Sequence, residues 1–146
     1  MTICTWLELT RTVRFSDTDA AGVVHFQRLL GWCHQAWEAS LEEFGVPAVA
    51  VFPGGPKEQP SVALPIVYCH ANFCAPLRIG DTVVIQLRPK RLNPSCFEVI
   101  SHLRLDDQKV ASGCLRHLAI DASTRQRCNL PKPIEFWLKA AALSRI

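Results

Sequence analysis

Two carboxylates two residues apart, Asp17 and Asp19, stand in a run that reads FSDTDAAG from Phe15 to Gly22 and continues VVHF to Phe26. Ala20, Ala21 and Gly22 are small, so backbone amides among them can face a ligand without side-chain obstruction. Apolar residues at helical spacing begin at Phe26, and a helix N-terminus presents unbonded amides and the positive end of its dipole. A carboxylate held beside such amides suits attack on a polarised carbonyl. The acid supplies a nucleophile or base, and the amides take up the developing negative charge. Two Asp residues at this spacing also serve as ordinary turn or capping groups. Spacing alone leaves both readings open, and His25 reads first as an ordinary helix-start residue and second as an acid–base group.

The element that must position this turn is the stretch after it. Phe26, Leu29, Leu30, Cys33, Ala36, Trp37, Leu41 and Phe44 recur at helical spacing, with Gln27, Arg28, His34, Gln35, Glu38, Glu42 and Glu43 mostly between them. The pattern predicts an amphipathic helix of roughly 20 residues, about 30 Å long. Gly45 and Pro47 end it, because Gly accepts the left-handed cap and Pro cannot continue the ladder. Ahead of the turn, Leu7, Leu9, Val13 and Phe15 alternate with polar residues, predicting a strand over 6–16. A Pro- and Gly-rich loop over 48–59 follows the helix, and strands are predicted over 62–75, 82–92, 96–105 and 109–121. One strand, a long helix and four more strands make an α+β domain whose sheet buries a face against that helix. A short terminal helix is predicted over 131–143.

At 146 residues, 49% of them hydrophobic, the chain reads as one domain, 1–146, with ample material for a core. Apolar residues on both faces of a strand, as in Val83, Val84 and Ile85, predict buried contacts with further copies, a dimer or a tetramer. A net charge of +3 permits an anionic small molecule and is too weak and dispersed to argue for nucleic acid. No apolar run is long enough to span a membrane, and the first fifteen residues lack the order of a signal peptide, so the expected compartment is the cytoplasm. Seven cysteines, Cys4 among them, are scattered without a C-x-x-C pair, as expected of buried thiols in a reducing compartment. Cys69 and His70 would point to opposite faces of a strand, so no metal site and no cofactor are expected. Arg88, Lys90 and Arg91, with Arg104 and Arg116, form either a solvated sheet face or a landing site for phosphates. Trp32, Trp37 and Phe26 could supply flat apolar surface near the Asp turn, although for any one of them packing in the core is the first reading.

The run FSDTDAAGVVHF, followed by a long helix ending in Phe44-Gly45, resembles the signature of the 4-hydroxybenzoyl-CoA thioesterase family of hotdog-fold enzymes. Asn72, Phe73, Pro76, Leu77, Gly80 and Asp81 are similar to that family's later strand, turn and strand start, so the resemblance covers nearly the whole chain. The helical run LLGWCHQAWE is similar to the subfamily acting on 1,4-dihydroxy-2-naphthoyl-CoA in phylloquinone synthesis. The resemblance implies a hotdog fold, an antiparallel sheet wrapped around one long central helix, and an aromatic acyl-CoA as substrate. It implies Asp19 as the catalytic carboxylate, the backbone amide of Phe26 as the group polarising the thioester carbonyl, and Asp17, Gly22 and His25 as support for the turn. It also implies that the CoA lies across a subunit boundary, where Arg88, Lys90 and Arg91 would meet its phosphates. Rival readings on the same fold are a dehydratase and a non-catalytic acyl-CoA-binding module.

Overall fold

Helix α1 (Phe26–Phe44) buries one face, made of Leu29, Trp32, Cys33, Ala36, Trp37, Ser40 and Leu41. The steps of three and four between these positions are those of a single helical stripe. Burying each of its large apolar side chains is worth about 1.5–3 kcal/mol. Gly45 closes the helix at φ 108°, its N–H shared between the carbonyls of Leu41 and Glu42. In this computed structural model residues 5–54 and 59–144 are described, so Cys4 and the middle of the loop after α1 lie outside the described residues.

The surface that receives α1 is a five-stranded antiparallel sheet built from β1 (Glu8–Thr12), β3 (Ile66–Phe73), β4 (Thr82–Asn93), β5 (Cys96–Leu105) and β6 (Gln108–Leu118). Its order is β1-β4-β5-β6-β3, which makes β1 and β3 the two edges. Val83, Ile85, Phe97, Val99, Leu103, Ala111 and Leu115 point into the core with α1. The outer face carries Gln86, Arg88, Lys90, Glu98, His102, Arg104 and Arg116, with Val84 and Ile100 among them. Alternation along each strand therefore separates the faces, as period-two patterning requires. The chain is α+β with a long helix against an antiparallel sheet, as expected.

Helix and sheet approach closely at one point. A Cβ placed on Gly113 of β6 would lie 2.6 Å from the Cys33 Sγ, so only glycine lets α1 sit at this depth. Helix α2 (Lys132–Leu143) closes one end of the core with Ile134, Trp137, Leu138 and Ala141. The Trp137 indole N–H donates to the Ser40 hydroxyl at 3.0 Å, joining the two helices inside the core.

Two expectations need correction. The first strand ends at Thr12, and Phe15–Asp17 forms a 3-10 turn with Phe15 81% exposed. The alternation there breaks because Gly80 and Asp81 clasp Val13 through two backbone bonds and redirect the chain. The strand predicted over 62–75 is broken at Leu64 and Pro65. Its first part, β2 (Val62–Ala63), leaves the main sheet to pair with β7 (Ile120–Asp121). Among the described residues no helix is long and apolar enough to cross a membrane.

Candidate active site

The Asp turn is a small hairpin pinned at four places. Thr18 bridges Val24, the Asp19 amide donates to the Val23 carbonyl at 3.0 Å, and the Gly22 amide returns to the Asp19 carbonyl at 2.9 Å. Gly22 takes φ 76°, a left-handed conformation that costs an L side chain roughly 1–2 kcal/mol. The Val24 amide then donates to the Leu77 carbonyl at 2.9 Å, which ties the hairpin to the chain beyond β3.

The two carboxylates have separate surroundings. Asp17 is buried, 3% exposed, and its Oδ2 accepts the Arg14 amide at 2.8 Å, while its carbonyl accepts the His25 amide at 3.2 Å. It braces the turn from inside. Asp19 is exposed, with one oxygen, Oδ1, held by the Ala21 amide at 2.8 Å. Its other oxygen has no hydrogen-bond donor among the described residues. One oxygen fixed and one open is the geometry a nucleophile or base needs, with the carboxylate oriented and a lone pair still available.

Asp19 lines a cleft of about 640 Å³ together with Val23, Val24, His25 and Phe26 on one side. Phe73, Cys74, Ala75, Pro76 and Leu77 line the rest. The first intrahelical bond of α1 runs from the Arg28 amide to the His25 carbonyl, so the amides of Phe26 and Gln27 precede the ladder. A carbonyl oxygen placed there meets backbone N–H groups and the positive end of a 19-residue helix. The cleft thus brings together Asp19, His25 and the amide end at Phe26, with Asp17 and Gly22 bracing the turn behind them.

Other expected residues lie elsewhere. Trp32 and Trp37 are each 1% exposed and belong to the core, because they sit on the inward stripe of α1. The flat walls of the cleft are Phe26, one of the three aromatics singled out from the sequence, and Phe73, both exposed. Residues 73–77 were legible only as a strand end and turn. The available signal was Pro76, which ends a strand and opens a loop where sites commonly form. Lys90 and Arg91 border a separate groove of about 580 Å³ against α2, where Arg91 lies 3.6 Å from Glu135. Arg88 is exposed on the outer face, and Arg116 pairs with Glu98 at 3.1 Å. None of these cations lines the Asp19 cleft.

A further cavity, about 250 Å³, opens beside the middle of α1 between His34, Trp37, Phe52, Leu64, Pro65 and Arg125. Behind it His117 lies fully buried between the rings of Phe97 and Trp37, with centroids at 4.9 and 4.4 Å. Its Nδ1 donates to the Leu64 carbonyl at 3.0 Å, and its Nε2 has no partner among the described residues. Burial pushes its pKa down to about 4, against the upward pull of that hydrogen bond, so it is neutral at physiological pH.

Residues 13–138 match the thioesterase-like superfamily. A 1,4-dihydroxy-2-naphthoyl-CoA hydrolase of Synechococcus sp. strain CC9902 is 70% identical over 97% of this chain and 95% of its own length. A crystal structure from Prochlorococcus marinus strain MIT 9313 is 51% identical, covers 93% of this chain and 96% of its own, and has a TM-score of 0.90. A 1,4-dihydroxy-2-naphthoyl-CoA thioesterase from Synechocystis is 26% identical over 91% of this chain and 95% of its own, with a TM-score of 0.80.

Proposed function

The chain belongs to the thioesterase-like superfamily, and from that membership we propose that it hydrolyses 1,4-dihydroxy-2-naphthoyl-CoA to 1,4-dihydroxy-2-naphthoate and CoA, a step of phylloquinone synthesis. It is a thioester hydrolase, and relatives bearing that hydrolase name share 50–70% of its residues over nearly its full length. The observation that carries the mechanism is the shared wall of the cleft, with an oriented, half-free Asp19 carboxylate beside the amide end of α1.

In this reading the thioester carbonyl oxygen accepts from the Phe26 amide, and the carbonyl carbon faces Asp19. Asp19 Oδ2 attacks that carbon, the C–S bond breaks, and the CoA thiolate leaves and takes a proton from solvent. Water then cleaves the mixed anhydride. Alternatively the same oxygen takes a proton from a water that attacks directly. Because the backbone donates, the side chain at position 26 plays no part in polarising the carbonyl. Phe26 and Phe73 give an aromatic acyl group flat surface on entry. One turnover in ¹⁸O-labelled water distinguishes the routes, since label in the Asp19 carboxylate establishes the anhydride. The assignment itself is tested by thiol release from a panel of aromatic and aliphatic acyl-CoAs. A preference for palmitoyl-CoA would discard the naphthoyl substrate, and no thiol release from any of them would discard the hydrolase.

The same reading includes a homo-oligomer acting in the cytoplasm. Edge strand β3 is exposed along nearly all of its eight residues, with Ile66, Val67, Tyr68 and Phe73 uncovered. An apolar, unpaired edge of this length is an invitation to pair. A two-fold axis through it would set β3 antiparallel to its copy. The Phe73 end, which carries the Asp19 cleft, would then lie beside the partner's Ile66 end. There Ile66, His117, Phe97 and Arg91 stand in one row across the sheet. In that arrangement Arg88, Lys90 and Arg91, which do not line the Asp19 cleft of their own subunit, serve a substrate held by the neighbouring subunit's Asp19.

A further inference from the structure

On the anhydride route Asp19 cannot assist its own release. Once its oxygen is bonded to the acyl group the carboxyl no longer carries the charge that would take a proton from water, so a second base must act. Of the other residues lining the cleft, only His25 and Cys74 carry titratable side chains. A thiol attacks carbon, whereas an imidazole ordinarily takes and gives protons near neutrality. The fold holds His25 firmly by its backbone. Its amide donates to the Asp17 carbonyl at 3.2 Å, and its own carbonyl accepts the Arg28 and Leu29 amides at 3.1 and 3.3 Å where α1 begins. Its imidazole makes no cap bond, and among the described residues no hydrogen bond, ion pair or ring contact engages it. The half-buried ring lines two spaces, the Asp19 cleft and a second cavity of about 350 Å³ lined by Arg11, Gln27, Arg28, Trp32 and Gln35. That lining is mostly polar, and a polar space of this size admits water. His25 therefore stands where the cleft adjoins a route for water and protons.

We propose that His25 is the general base of the second half-reaction, taking a proton from the water that cleaves the Asp19 anhydride. As the water oxygen joins the Asp19 carboxyl carbon, the imidazole takes one proton, and the bond from that carbon to the bridging oxygen breaks. The acid leaves as a carboxylate with the bridging oxygen, and Asp19 keeps the oxygen from water. The second proton ionises from the restored Asp19 carboxyl group. One of the two balances the proton taken up by the CoA thiolate, and the other is released with the acid. His25 has this part only in a thioesterase that works through the anhydride, and it is a part beyond support of the turn.

The test follows thiol release from 1,4-dihydroxy-2-naphthoyl-CoA by rapid mixing with wild type, His25→Gln and Cys74→Ala. In His25→Gln the first equivalent of thiol should appear as a burst at the wild-type rate, while steady turnover falls about 10²-fold. The quenched variant should carry the mass of the acyl group on Asp19. Imidazole added to His25→Ala should raise steady turnover and leave the burst as it was, and this variant, which keeps the backbone bonds, gives the same reading if His25→Gln does not fold. A merely structural His25 would slow the burst and the steady rate together, so loss of both overturns the proposal, as does unchanged turnover in His25→Gln. A burst in Cys74→Ala with none in the His25 variants overturns it too. So does a single wild-type turnover in ¹⁸O-labelled water that leaves Asp19 unlabelled, because water then attacks the thioester directly. If the wild type releases no thiol from any acyl-CoA, the thioesterase reading fails and takes the role of His25 with it. A wild type that releases thiol beside His25 variants without a burst removes the role of His25 alone.

Discussion

Asp17 and Asp19 differ by two positions and by nearly everything else. Asp19→Asn keeps the size of the side chain and an oxygen for the Ala21 amide, and removes the charge on the free oxygen. Turnover should fall by roughly 10³ while the melting temperature holds, and near-wild-type turnover in a folded protein would end the assignment. Asp17→Asn should spare turnover and lower the melting temperature, because the buried carboxylate accepts the Arg14 amide and so braces the turn. His117 gives a pH dependence of the same sign as a favourably paired carboxylate, although its cause is burial of a neutral ring. Its folded pKa, about 4, lies below the ordinary 6.5, so the unfolded chain binds the proton more readily. Stability is whole above pH 6.5 and is lost as pH falls toward 4, to a limit of about 3 kcal/mol. Urea unfolding of wild type and His117→Gln at pH 7.5 and 4.5 checks this. The variant, less stable at pH 7.5, should lose less on acidification.

At the scale of elements, the deepest contact is between α1 and β6. Gly113→Ala places a methyl group 2.6 Å from the Cys33 sulfur, so helix and sheet must part by a fraction of an ångström. Overpacking of this kind costs about 1–3 kcal/mol, to be read as a drop in the unfolding midpoint, and Cys33→Ala should relieve it. Nothing in the local pattern around Gly113 announces this contact, since it depends on residues eighty positions apart in the chain. Helix α1, both its ends and three of the five main strands, β4, β5 and β6, were legible because their periodicity is unbroken over ten or more residues. The edge strand β1 and the break at Leu64 and Pro65 were not. There the long-range clasp of Val13 by Gly80 and Asp81, and the pairing of β2 with β7, outweigh local preference. The Asp turn was readable as chemistry because its small residues and helix start are contiguous. Its opposite wall, Phe73 to Leu77, is tied to it among the described residues by the Val24–Leu77 backbone bond, and the tryptophans took the core reading because spacing gives a stripe and not what the stripe faces.

For the whole molecule, the proposed pairing through β3 has a direct check. Val67→Asp puts a charge on the exposed edge without touching the core, since Val67 is half exposed. Sedimentation equilibrium should show the wild type as a dimer or larger and the variant shifted toward monomer, with thiol release reduced in step. A wild type that is monomeric and active would remove both the assembly and the trans role of Arg88 and Lys90. The thiol at the bottom of the α1–β6 contact extends the same question into time. Cys33 is 1% exposed and its pKa is pushed up to about 11 by burial, so a thiol reagent meets it only after α1 has lifted away from the sheet. Its labelling rate is therefore the intrinsic rate scaled by an opening equilibrium, a clock built into the fold. Seven residues separate that clock from the amide end of the helix at Phe26. If acyl-CoA slows it, substrate is gripping α1 along its length, and if the rate is indifferent to substrate, the first turn of the helix binds while the remainder keeps its own pace.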